Sequence, residues 1–159
     1  MNVLIVLFVS FGIAAVVIRI VTHKHNLAMA ARVGMSVMLL FTALGHFMFA
    51  EGMSMMIPDF IPFKMEMVYL TAIIEIAAAL GLQLPKLRVL TAWLLILFFV
   101  LILPSNIKSS MEHIDMYKAN YQGDGTGHLW FRIPLQLFFI AWIYFSSIKN
   151  KLREAKKPQ

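Results

Sequence analysis

Five stretches of the chain, approximately 2–21, 27–50, 68–84, 88–107 and 129–148, are almost wholly apolar, with polar connectors between them. A helix needs about 20 mostly apolar residues to cross a bilayer. Each stretch is too long for an isolated strand. Backbone in lipid must satisfy its own hydrogen bonds, so the pattern predicts helices. The run from Val68 to Leu84 is the shortest and lengthens from the Met65–Met67 side. The expected fold is an all-α membrane protein, with five transmembrane helices in one bundle over 1–148 and a basic tail over 149–159.

Two connectors carry patterns of their own. Segment 51–67 is apolar but holds Pro58 and Pro62, which forbid a continuous helix. It reads as a bent lid over the outer mouth of the bundle, with Met56, Asp59 and Phe60 as its candidate lid residues. In 108–128, Ile107, Met111, Ile114, Tyr117 and Tyr121 recur at helical spacing, which predicts an amphipathic helix at the membrane surface. The Gly123–Gly127 turn ends it.

Composition supports the membrane reading. Of the 159 residues, 60% are apolar and 14% charged, and mean hydropathy is +0.79. Soluble chains run at roughly 45–50% and 25%, and a chain this small cannot hide the excess. A soluble enzyme, a disordered chain and a nucleic-acid reader are excluded. The net charge of +6 is explained by placement. Basic residues gather in 22–26, in 85–87 with Arg88, and in the tail, where five face the single Glu154. Glu51, Asp59, Glu66, Glu112, Asp115 and Asp124 occupy the alternate connectors. That alternation predicts an N-terminus outside, a C-terminus in the cytoplasm, and residence in a plasma membrane of the bacterial inner-membrane kind. The first stretch has no basic leader and its charges follow it, so it reads as an anchor rather than a cleaved signal.

Polar residues inside the spans mark candidate function. His46 lies near the outer end of the second span, and Glu75 about seven residues into the third, ~10 Å deep. Asn106 closes the fourth, and His128, Arg132 and Gln136 are spaced four apart on the fifth. Pro104 and Pro134 lie at the same level, each freeing a carbonyl one turn earlier. His46, Glu75, Asn106, Arg132 and Gln136 are therefore expected to line one ligand pocket, with Glu75 paired to Arg132. The plain alternatives are a structural Glu–Arg clasp, a headgroup-seeking Arg132 and a helix-bonding His46. Arg32, alone in the inner half, is expected to snorkel.

Other chemistry is thin. No cysteine is present, which removes disulfide, redox-pair and thiolate-metal roles. Met53, Met55, Met56, Met65 and Met67 suit adaptable packing better than Cu(I). His23 and His25 flank a turn, so no metal site is expected. Gly123–Gly127 lacks the Lys-Ser/Thr of a phosphate loop. No self-contained catalytic motif appears.

The stretch from Arg32 to Phe47, closing in Gly45-His46-Phe47, resembles the signature helix of DoxX-like membrane proteins. The Met56-Ile-Pro-Asp-Phe-Ile-Pro62 segment, Tyr69–Gly81 and Trp130–Gln136 extend the likeness over about 27–148. It implies a four-helix core with an added N-terminal helix. The namesake of that family is the small membrane subunit of an archaeal thiosulfate:quinone oxidoreductase; other members accompany redox proteins or act in assembly. The expected function is a non-catalytic module that binds a lipid or amphiphile or assists assembly. The alternative is a quinone-interacting subunit, with quinone as cofactor, electrons from a redox or membrane-protein partner, and Phe47, Tyr69 and Trp130 near the ring. A transporter comes third. The lipid bilayer is the first partner, a second copy of the chain is another, and nucleic acid is none.

Overall fold

The computed structural model describes residues 2–23, 25–123 and 125–149. Lys24, Asp124 and the tail beyond Lys149 lie outside the described residues, so the structure does not bear on the basic tail. Six helices form among those described: α1 Asn2–Thr22, α2 Leu27–Met48, α3 Ala50–Met56, α4 Lys64–Gly81, α5 Arg88–Met111 and α6 Thr126–Ile143. The last runs on into a π-helical turn at Tyr144–Lys149. No strand forms among the described residues.

Four helical stretches, Val3–Thr22, Leu27–Met48, Arg88–Met111 and Leu129–Lys149, are long and apolar enough to cross a membrane. Helix α4 stands apart because its 18 residues carry Lys64, Glu66 and Glu75. Large apolar side chains cover the outside of the bundle, among them Ile13, Ile20, Leu44, Ile73, Leu80 and Leu101. An apolar surface of this kind suits insertion into lipid and would be insoluble in water.

Helix α2 is the central element. Asn26 caps it by accepting from the Met29 amide at 3.0 Å. It packs on α1 and α4 and also touches α3, α6 and the π-helical turn. Against α1 the approach is close because Gly34 lacks a side chain: a Cβ there would stand 3.1 Å from the Phe11 backbone. Small residues at such crossings let helices meet without a hydrophobic driving force. Helix α4 turns Val68, Ala72, Glu75, Ala79 and Leu82 inward, a stripe at heptad-like spacing. Glu75 therefore belongs to the buried face by position alone.

The helices alternate in direction. The start of α1, the end of α2, the start of α4, the end of α5 and the start of α6 all contribute walls to one cavity. The opposite end gathers the start of α2 and the end of α6. Helix α4 runs the same course as its neighbours, from Thr71 at the cavity to Ala79, whose carbonyl accepts from Ser36 Oγ at 2.7 Å.

Three expectations are corrected. The amphipathic helix over 108–128 does not form. Helix α5 passes through Pro104 to Met111, and His113 then adopts a left-handed backbone, φ 53°. Ile114 N–H returns to the Ser109 carbonyl at 2.9 Å, and an isolated Asp115–Asn120 bridge closes a tight loop. Proline removes one amide and tilts the chain without ending it, whereas the left-handed residue redirects it. Second, Arg32 does not snorkel. It is only 5% exposed and donates from Nη1 to the Ser146 carbonyl at 3.0 Å. Third, Arg32 is not the only polar group at its end. Gln83 Nε2 donates to Ser36 Oγ at 2.8 Å, and Trp142 Nε1 to the Ala31 carbonyl at 3.0 Å.

The segment between α2 and α4 is bent as its prolines require, but it contains a helix of its own. After α3 the chain crosses Ile57–Phe63, and Phe63, at φ 54°, leads into α4 from a left-handed conformation. Helix α4 consequently starts at Lys64 rather than at 68.

Gly34→Leu is expected to lower stability by about 1–3 kcal/mol, the usual range for overpacking. Gly12→Leu should leave it unchanged, because nothing lies within 4 Å of a Cβ there. Thermal unfolding of both variants in the same detergent checks the pair.

Candidate functional site

Helix ends supply the site. Thr42 and His46 come from the last turns of α2, Val68 and Thr71 from the first of α4, and Phe99, Ile102, Ser105 and Asn106 from α5. Arg132, Leu135, Gln136 and Phe139 come from α6. Met53 and Met56 of α3, followed by Ile57, form one further wall. Together they enclose a cavity of about 280 Å³ with mostly apolar walls. That lies at the small end of ligand sites, which run about 300–1,000 Å³.

Its polar groups are connected in sequence. Arg132 Nη1 donates to Asn106 Oδ1 at 3.0 Å, and Asn106 Nδ2 to Gln136 Oε1 at 3.5 Å. Gln136 Nε2 then donates to the Phe99 carbonyl. Each donor points the same way along the chain of bonds, from α6 to α5, back to α6 and again to α5. Arg132 Nη2 rests on Met116 Sδ at 3.8 Å, a weak acceptor.

His46 and Glu75 form a separate pair. His46 Nδ1 bonds the Thr42 carbonyl at 2.8 Å and lies 3.4 Å from Glu75 Oε2. A carbonyl only accepts, so Nδ1 carries the proton and Nε2 of the neutral ring is left as an acceptor. Glu75 is buried, 5% exposed, and Oε2 has no hydrogen-bond partner.

The sequence-derived residues divide accordingly. His46, Asn106, Arg132 and Gln136 lie on the walls of the cavity; Glu75 does not, and reaches it through His46. The expected Glu75–Arg132 pair is corrected: the partner of Glu75 is His46 and that of Arg132 is Asn106. The reason is reach, since each charged group finds a partner one helix away. The placement of the His128 side chain lies outside the described residues.

Of the three lid candidates only Met56 faces the cavity. Phe60 is 83% exposed. Asp59 sits in the open between two cations, 2.6 Å from Lys64 Nζ and 2.8 Å from Lys108 Nζ. Lys108 also donates to the Ile57 carbonyl at 3.0 Å, so it ties the Ile57–Phe63 turn to α5. Its bond to Asp59, with that from Lys64, holds the Asp59 carboxyl down at about 2.

The aromatic residues expected at the pocket are elsewhere. Phe47 and Tyr69 stack on each other, centroids 5.8 Å apart, on an exposed face, and Trp130 is exposed. Phe99 and Phe139, also 5.8 Å apart, take their place in the wall. Helical spacing could have found both: Phe99 precedes Asn106 by seven and Phe139 follows Arg132 by seven. Met116 carried no such signal, because it comes from the loop. That loop closes over a second cavity of about 260 Å³, lined by Ser109, Asp115, Tyr117, Lys118 and Gln122 among others. Gly52 of α3 abuts the Met116 backbone, and Phe49 meets Tyr117 edge to face at 5.0 Å, which fixes the loop against α3.

Two predictions follow from this geometry. Double-mutant cycles should give additive effects for Glu75→Gln with Arg132→Ala, within about 0.5 kcal/mol. Asn106→Ala with Arg132→Ala should couple beyond that figure. A carbon-13 titration should place the Asp59 carboxyl near 2 and move it up toward 3.8 in Lys108→Met. Because the folded value is the lower one, the stabilisation from this clip is full above the unfolded value and lost as pH falls through about 2.

Residues 35–147 match the family model described as a domain of unknown function, DUF8561; the match begins inside α2 and runs through α6. No curated protein and no solved structure matches the chain. By the extent of that match, the chain belongs to the DUF8561 family.

Proposed function

We propose that the protein is a non-catalytic membrane module that holds the head of a small amphiphile in the cavity between α2, α4, α5 and α6. The observation that carries this reading is the composition of that cavity. Apolar walls from Val68, Phe99, Ile102, Leu135 and Phe139 meet a cluster of polar groups from His46, Asn106, Arg132 and Gln136. Ligand sites combine an apolar lining with a few placed polar groups in this way. The volume suits a head and the first part of a tail.

The membrane arrangement belongs to the same proposal. Helix α4 is the fifth span: it runs from the cavity to the far end beside α2 and bares Leu70, Ile73 and Leu80 to lipid. Lys64 and Glu66 sit in its first turn, at headgroup level. The cavity end faces outward, α3 with the Ile57–Phe63 turn is its lid, and the basic connectors face the cytoplasm of a bacterial cell. Kinship with DoxX-like proteins is part of this reading and rests on the Arg32–Phe47 and Tyr69–Gly81 stretches. A quinone is the second candidate occupant, favoured by the Phe99–Phe139 wall beside hydrogen-bonding side chains.

Gentle purification followed by native mass spectrometry and organic extraction tests the proposal. The expected result is a bound lipid-class molecule that is lost in Ile102→Trp, where the indole fills the cavity, with helix content unchanged by circular dichroism. An empty protein, or a ligand retained by Ile102→Trp, overturns it. A quinone in the extract selects the second occupant.

A further inference from the structure

Arg132, Asn106 and Met116 line both cavities: the apolar one inside the bundle and the one beneath the 112–125 loop. They form the partition between two chambers of different character. The inner chamber is walled by phenylalanine and aliphatic side chains. The loop chamber is walled by Ser109, Ser110, Asp115, Tyr117, Lys118 and Gln122.

Charge at the partition is unbalanced. Among the described residues no carboxylate lies within 4 Å of Arg132. Its bonds go to a neutral amide oxygen and a thioether, two of five donors on the guanidinium. The one carboxylate on the loop-chamber wall, Asp115, is already engaged: its Oδ1 accepts from the Tyr117 and Lys118 amides at 2.9 and 3.3 Å. Lys118 adds a second cation to the same wall. Asp124, between two glycines of the rim, lies outside the described residues. A guanidinium at the border of an apolar chamber is costly unless an anion joins it. Its planar fork is shaped for a carboxylate or phosphate.

Resting on the amphiphile reading above, we infer that the occupant carries an anionic head, a phosphate or carboxylate, seated on Arg132 at the partition with its tail among Phe99, Ile102, Leu135 and Phe139. Asn106 is a positioning residue: it holds the guanidinium across the opening and passes its own amide to Gln136. The ligand enters from the loop chamber, head last, so that the charge stays in the polar compartment.

The probes are octyl phosphate, 1-octanol and inorganic phosphate, followed by native mass spectrometry in a neutral maltoside detergent. Octyl phosphate should occupy the protein at a concentration at least tenfold below either of the others. Arg132→Gln should lose at least tenfold for octyl phosphate and nothing for octanol. Asn106→Asp offers a second variant, since it places a carboxylate at the 3.0 Å contact and gives Arg132 an internal anion. It should lose octyl phosphate at least tenfold while melting no lower than the parent. Asp124→Asn should bind within threefold of the parent. A tenfold gain there would mean that Arg132 is occupied by its own chain, and would overturn the inference. Equal binding of octanol overturns the anionic head yet leaves the amphiphile reading standing. Equal binding of phosphate shows a free-anion site and overturns the inference. Binding of neither amphiphile overturns both readings.

Discussion

Polar side chains of this bundle reach for backbone carbonyls of neighbouring segments, and the arrangement of the helices depends on those reaches. Ser36 bonds the carbonyl of Ala79, Arg32 that of Ser146, Trp142 that of Ala31, Gln136 that of Phe99 and Lys108 that of Ile57. A helical carbonyl has two lone pairs and spends one on its own ladder. In an apolar surrounding, where water cannot serve as partner, the second becomes the nearest acceptor. Each such bond ties one segment to another at a fixed height. Together they set the register that packing of Ala, Leu and Phe alone would leave free to slide.

The two ends of the molecule spend their polar groups differently. At the α2 N-terminal end, Arg32, Ser36, Gln83 and Trp142 are absorbed in bonds between helices. At the other end, His46, Arg132 and Gln136 are bonded too, but their remaining surface faces open volume. One end is closed by its hydrogen bonds and the other is held open by them. Met53, Met56 and Met116 complete the open end with flexible thioether side chains, which adapt to an occupant at little cost.

Much of the fold could be read from apolar runs, because helix length in such a chain follows directly from hydropathy. Which polar residues share a level was also legible, since alternating helices put His46, Asn106, Arg132 and Gln136 at one end. Partner choice was not. Glu75 and Arg132 were matched by charge, whereas the structure matches them by rotation about their helices, a quantity that a run of apolar residues barely records. The 112–125 loop was misread for a related reason. Ile107, Met111 and Ile114 do repeat at helical spacing, but the left-handed backbone at His113 is a choice of the chain's return path and leaves no periodic trace. Met116, the residue that links the two cavities, was invisible for the same reason.

The π-helical turn at the end of α6 gives chain length a structural meaning there. Such a turn holds one residue more than an α-helical turn of the same rise. Removing a single residue between Tyr144 and Lys149 would let the segment revert to α-helix and rotate everything beyond by about 100°. The Ser146 carbonyl would swing away from Arg32, and Ser147 and Ile148, now buried, would turn outward. Substitutions at these positions can be accommodated one at a time. A deletion changes the phase of the whole terminus, so what this stretch conserves physically is a count of residues more than their identities.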